Sequence, residues 1–210
     1  MSGSYITVAS VAQEEILINR SRFIGYSGPC ETEQQALSFL REIRDIHKSA
    51  THHCYAYIIG ENSGIMRYSD DGEPGGTAGL PIMDVLRNSQ IVNCCIVVVR
   101  YFGGVLLGTG GLVRAYTQAA QAARDASGLV RMELTKDFSC ALPYSSWDRF
   151  RYASEHLPVM IEKVVYGSDI SFHLLIRTDD AERICAGLSD VSDRKLRITE
   201  ETEAYHAWQI

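Results

Sequence analysis

The chain of 210 residues contains no apolar run long enough to cross a bilayer. Its longest, Cys94 to Val99, falls far short of the roughly 20 residues that a helical span requires. The opening stretch, MSGSYITVASVAQEEILINR, lacks the uninterrupted apolar core of roughly 7–15 residues that marks a secretory signal. Prolines number only 5, and no low-complexity tract or short repeat occurs, which argues against a disordered chain. The 6 cysteines form no CxxC pair, and Cys94 and Cys95 are neighbours whose side chains point to opposite faces of a strand. A disulfide framework and a zinc site are therefore not expected; buried free thiols in a reducing cytoplasm are. Positive charge is also in short supply, with 20 Lys and Arg against 26 Asp and Glu, for a net charge of −6. Residues 1–128 carry 10 against 12, and residues 129–210 carry 10 against 14. Non-specific nucleic-acid binders rely on a basic surplus, so any such contact here must rest on a local patch.

What is present is a set of well-punctuated elements. QEEILINRSRFIGYSGPC alternates like two short strands bent near Ser21. TEQQALSFLREIRDIH is a helix with Thr32 and Gln35 at capping-box spacing. HHCYAYIIG and IMRYS form a hairpin across ENSG, and a short helix follows near Leu80–Asn88. IVNCCIVVVRY is apolar nearly throughout, as a strand covered on both faces should be. A helix over about 109–126 follows, with alanines on the face that would meet a sheet. After Gly128 the order becomes β-α-β-β-α-β, the ferredoxin-like split βαβ arrangement, with Ser145 and Asp148 as a second capping box. The expectation is α+β with two domains, 1–128 and 129–210.

Three segments exceed what core packing needs. The first is VVVRYFGGVLLGTGGLVRAY, where Gly103, Gly104, Gly108, Gly110 and Gly111 surround a strand exit and a helix entry. Glycine is required there for positive φ or for close approach of a backbone or ligand. A helix N-terminus favours anions, and Arg100 and Arg114 would add charge, so the joint is a candidate anion or partner site. It is neither a Walker A loop nor a dinucleotide fingerprint. The second segment is the acidic loop YSDDGEPGGTAGLP, whose Asp70, Asp71 and Glu73 offer a competing reading. If both loops share a sheet edge, Arg100 or Arg114 pairs with these carboxylates and locks the loops together. The acidic loop lacks the order of a calcium loop, and no metal or cofactor is expected.

The third segment, HHCYAY, places His52, Cys54 and Ala56 on one face and His53, Tyr55 and Tyr57 on the other, where Arg67 joins them across the hairpin. That second face is either wet, able to stack bases or hold a partner, or packed beneath a helix. No G-x-S-x-G elbow occurs, and no cysteine has a recognisable catalytic setting; Asp70 or Asp71 beside His53 is the only acid–base candidate.

Together, SRFIG, ATHHCYAYIIG, RYSDDGEPGGTAGLPIMDVL and IVVVRYFGGVLLGTGGLVRAYTQAA resemble the Impact/YigZ family over roughly residues 15–125. Arg100, Tyr101, Phe102, Gly103, Gly104, Leu107 and Gly108 fill the family's Arg-aromatic-aromatic-Gly-Gly-x-x-apolar-Gly pattern. The resemblance implies a ribosomal-protein-like α+β domain followed by a ferredoxin-like one, and no established reaction. It implies a non-enzymatic, translation-linked regulatory factor whose partner is the ribosome, RNA or a translation-associated protein. A small hydrolase acting on a phosphoester or peptide between the two loops is the alternative.

Overall fold

The computed structural model describes residues 3–210. Its elements are β1 (Tyr5–Val8), β2 (Ala12–Ile18), β3 (Ser21–Pro29), α1 (Glu33–Ile46), β4 (His52–Ile59), β5 (Ile65–Ser69), α2 (Gly79–Asn88), β6 (Cys94–Tyr101) and α3 (Gly108–Ser127). They continue with β7 (Leu129–Leu142), α4 (Tyr144–Ser154), β8 (Val159–Tyr166), β9 (Ile170–Arg177), α5 (Ala181–Val191) and β10 (Arg197–Gln209). The fold is mixed α+β. The chain divides into two compact units, one of Ser4–Met132 with Ala207–Ile210 and one of Glu133–His206 with Gly3.

In the first unit β2-β3-β6-β4-β5 form an antiparallel sheet. Strand periodicity sends alternate β6 side chains to opposite layers. Cys94, Ile96 and Val98 pack with Leu86, Leu112 and Tyr116 of α2 and α3. Cys95, Val97 and Val99 pack with Ala36, Leu40 and Ile43 of α1. This double burial is why the strand reads as an unbroken apolar run. The alanines of α3 do bring it close to the sheet: Ala115, Ala119, Ala120 and Ala123 are fully buried, and a Cβ on Gly25 would sit 2.4 Å from the Ala119 carbonyl oxygen.

The α1 capping box forms as the sequence suggests, with the Gln35 amide donating to Thr32 Oγ1. The second one does not. Helix α4 starts at Tyr144 behind an extended Pro143, so Ser145 and Asp148 fall inside the helix and make no cap bond. Strand β1, too short to show a period, pairs Tyr5–Val8 with Leu129–Met132 of β7.

In the second unit the strand order is β10-β7-β9-β8, over a core of Phe138, Leu142, Phe150, Phe172, Leu174 and Leu188. With β-α-β-β-α-β connectivity this is the ferredoxin-like arrangement.

All six cysteines are free thiols. Burial pushes the thiols of Cys54, Cys94 and Cys140 up to about 12 and that of Cys30 up to about 11. The thiolate is the reactive form. Ellman titration of the native protein at pH 8 is therefore expected to reach only the half-buried Cys185, and then slowly, with all six reacting once the chain is unfolded in guanidinium.

Candidate functional site

Arg100 is the next residue after Val98 on the β6 face that meets α2 and α3, opposite Phe23 on one neighbouring strand and His52 on the other. It is only 5% exposed. Its Nη1 donates to Glu73 Oε1 at 2.6 Å, and the same oxygen accepts from the Tyr116 hydroxyl of α3 at 2.8 Å. The guanidinium carbon lies 5.3 Å from the Phe23 ring centre and 5.4 Å from that of Phe102. Arg100 is therefore not the free guanidinium of the anion-site reading; the competing reading, in which it pairs with a carboxylate of the acidic loop, holds for it. A charge this deep must be paired, and Glu73, itself buried, supplies the partner. Arg114, by contrast, is exposed and makes no ion pair among the described residues.

The other carboxylates of the acidic loop are also turned inward. Asp70 caps α2 by accepting from the backbone amides of Gly76, Ala78 and Gly79 at 2.9, 3.0 and 2.8 Å. A Cβ on Gly79 would lie 2.6 Å from the Ser69 carbonyl carbon. Asp71 Oδ2 accepts from the His53 amide at 2.6 Å and Oδ1 from Arg44 at 3.2 Å. Both of its oxygens are engaged, which opposes the reading of Asp71 as a general base. The loop as a whole braces β4, α1, α2 and α3.

The glycines of the joint serve different ends. Gly103 passes so close to the preceding turn that a Cβ would lie 2.1 Å from the Arg20 carbonyl, and its amide donates to Ser21 Oγ. Gly104 and Gly108 have φ of 81° and 68°, a region that side chains resist. A Cβ on Gly110 would meet open space, and one on Gly111 would lie 3.0 Å from Leu107 Cβ. Tyr101 is held from behind, its hydroxyl 2.9 Å from His47 Nδ1. Beyond it Phe102, Val105 and Leu106 stand exposed, Leu106 at 87%.

Beneath this loop is a cavity of about 380 Å³ lined by His52, Glu73, Arg100, Phe102, Leu106 and Thr109, among others. His52 Nδ1 lies 2.8 Å from the Asp71 carbonyl oxygen, and Nε2 lies 3.8 Å from Glu73 Oε1. Neither His52 nor Tyr116 was among the sequence candidates. Period 2 put His52 on the core face, and Tyr116 reads as an ordinary buried helix position.

The face of HHCYAY expected to be either wet or covered is covered by α1. Tyr57 is 3% exposed, donates its hydroxyl to Glu33 Oε1 and stacks on Tyr55, whose ring centre is 6.0 Å away. Arg67, the fourth member of that proposed surface, lies at the rim, 3.9 Å from Glu33. His53 Nε2 lies 3.1 Å from the His47 carbonyl oxygen, so ring and backbone are both engaged. Tyr57 is thus buried, whereas His53 and Tyr55 are half-buried and Arg67 is exposed.

Burial holds His47 and His53 below the ordinary histidine value of about 6.5, aided at His47 by neighbouring positive charge and opposed at His53 by its hydrogen bond to the His47 backbone and by Asp71. A depressed histidine favours the neutral ring in the fold. Below about pH 6.5 the unfolded chain binds more protons, so stability is full above that pH and is lost as pH falls toward the native values. Urea midpoints should therefore drop between pH 7.5 and pH 5.5, and His47→Gln should flatten the dependence.

Among the described residues no group of His, Cys, Asp and Glu is arranged to hold a metal ion, and no helix is long and apolar enough to cross a membrane.

This geometry has relatives. The family model for the Impact N-terminal domain matches residues 19–124, which contain the brace, the joint and the cavity. The chain is similar to IMPACT family member YvyE of Bacillus subtilis, 33% identical over 205 residues that cover 98% of this chain and 94% of that protein. It is also similar to YigZ of Escherichia coli, 46% identical over 101 residues, where the match spans 47% of this chain and about half (50%) of the relative. A crystal structure of a hypothetical protein superposes with a TM-score of 0.61 at 30% identity, covering 94% of this chain and 97% of its own. A shared N-terminal domain and a near full-length relative lead to one conclusion: the chain belongs to the Impact family.

Proposed function

We propose that this protein is a non-enzymatic, translation-linked regulatory factor that acts in the cytoplasm by binding a protein of the translation machinery. Its contact surface is the exposed rim of the glycine joint, Phe102, Val105, Leu106 and Val113, with Arg114 as the charged anchor. The observation that carries this reading is the exposure of Leu106 beside three further exposed apolar residues at one strand-to-helix junction. Clustered exposed apolar side chains beside an arginine are typical of protein-contact anchors. The translation link follows from the family resemblance. RNA is the less favoured target, because Arg100 is neutralised by Glu73 and the chain carries a net charge of −6.

The test is co-sedimentation of the purified chain with ribosomes and ribosomal fractions. Binding through an apolar rim should weaken at least about 10-fold in Leu106→Asp, with a shallow salt dependence. A steep loss with salt, approaching a log–log slope of about 0.9 per neutralised phosphate, together with insensitivity to Leu106→Asp, would transfer the site to RNA. No sedimentation of the wild type with any fraction would remove the proposal.

A further inference from the structure

The chain carries 26 acidic residues, yet none falls within residues 16–30 or 85–124. Those stretches build the end of β2, β3, β6, the glycine joint and nearly all of α3. In a protein of net charge −6, the joint is thus made without a carboxylate of its own. Arg114 is exposed and makes no ion pair among the described residues, and the same holds for Arg20 in the β2–β3 turn. That turn borders the rim, because Gly103, next to Phe102, packs against the Arg20 backbone. Two free guanidinium groups therefore stand beside the exposed Phe102, Val105, Leu106 and Val113.

Gly110 adds a feature that the fold itself does not require. It is helical, its φ is not positive, and a Cβ there would meet no atom within 4 Å. Glycine at such a position weakens a helix relative to alanine, so nothing inside the chain favours it. The remaining use of a missing Cβ is close approach by a backbone from outside. Arg114 stands one turn further along α3, on the same side as Gly110. Gly108 and Thr109, just before it, line the cavity of about 380 Å³. Its walls of Pro74, Phe102, Leu106, Leu107 and Leu112 leave room for one large apolar side chain.

We infer that the rim selects an acidic amphipathic segment of its protein partner. The segment's backbone crosses α3 at Gly110, one large apolar side chain enters the cavity, and its carboxylates pair with Arg20 and Arg114. This rests on the rim being a protein contact and specifies the chemistry that the contact takes. Two free cations beside an apolar surface suit such a segment, whereas a nucleic-acid backbone calls for a row of cations. The Arg100–Glu73 pair at the cavity floor is already neutral and leaves the selection to the rim.

Fluorescence anisotropy of the full chain tests this with labelled synthetic peptides of about four helical turns. The probe has leucines at i, i+3, i+4 and i+7 and glutamates elsewhere. One control replaces the glutamates by lysines, a second replaces the leucines by serines, and a third is a single-stranded RNA oligonucleotide. The acidic leucine peptide should bind at least about 10-fold more tightly than either peptide control. Arg20→Glu with Arg114→Glu should reverse the preference, favouring the lysine peptide. Gly110→Leu should weaken the acidic peptide at least about 10-fold without lowering the urea midpoint, because its side chain enters open space. Equal binding of the two charge forms, tighter binding of the RNA, or no binding of the acidic peptide by folded wild type would overturn the inference. Ribosome co-sedimentation of the same variants keeps the two readings apart. Ribosome binding lost in Leu106→Asp but intact in Gly110→Leu and in the charge-reversed protein would leave the translation contact standing and remove this inference.

Discussion

Glu73→Gln is expected to destabilise the first unit by about 3–5 kcal/mol, a loss large enough to unfold a chain of ordinary stability at 37 °C. The substitution keeps the shape and removes the charge, leaving Arg100 buried without a counter-ion. Tyr116, whose hydroxyl burial pushes well above its ordinary value, keeps an acceptor in the amide oxygen, so its contribution to the loss is small. The controls are the apolar replacements. Arg100→Met with Glu73→Leu should recover most of the loss, because a buried ion pair is often no more stabilising than well-packed hydrophobes. The remaining deficit, about 1–3 kcal/mol for a buried Tyr116 hydroxyl without an acceptor, should fall further when Tyr116→Phe is added. Urea unfolding of the four proteins measures these differences. A Glu73→Gln loss under about 1 kcal/mol would mean that the pair is not a brace.

Two glycines of the same motif should respond with opposite signs. Gly103→Ala is expected to cost more than about 3 kcal/mol, since its Cβ would fall 2.1 Å from the carbonyl carbon and oxygen of Arg20, backbone atoms that cannot rotate aside. Gly110→Ala is expected to stabilise by about 0.5–1 kcal/mol, because position 110 is helical, open on every side and free of positive φ. Thermal unfolding of both variants reads the contrast directly. Equal effects would mean that the glycines share one role, such as making room for a ligand along the whole loop.

These contrasts mark how far the sequence alone could be read. Strand β6 was legible because burial on both faces leaves a continuous apolar run, and α1 because its capping box is a local pattern three residues wide. The β-α-β-β-α-β order of the second unit followed from periodicity and turns. The pairing of Arg100 was only half legible. Period 2 puts it on the same face as Cys94, Ile96 and Val98, which signals burial, but which of Asp70, Asp71 or Glu73 reaches it depends on how the acidic loop turns. That turn is set by Gly72 and Gly76 at φ of 88° and 75° and by Asp70 capping α2, interactions that span six to nine residues and leave no periodic trace. The close approach at Gly103 was hidden for a similar reason, since the backbone it meets lies at Arg20, on the far side of the sequence. His52 was hidden by its own logic, a core-face position that also opens onto a cavity.

If the acidic loop and Arg100 serve the interior, the outward contact belongs to the apolar rim. The most direct measurement is ribosome-fraction binding by the folded Arg100→Met/Glu73→Leu/Tyr116→Phe protein alongside Leu106→Asp. The expected result is near wild-type binding by the first and at least about a 10-fold loss in the second. Binding that disappears with the arginine and survives the change at Leu106 would contradict the account.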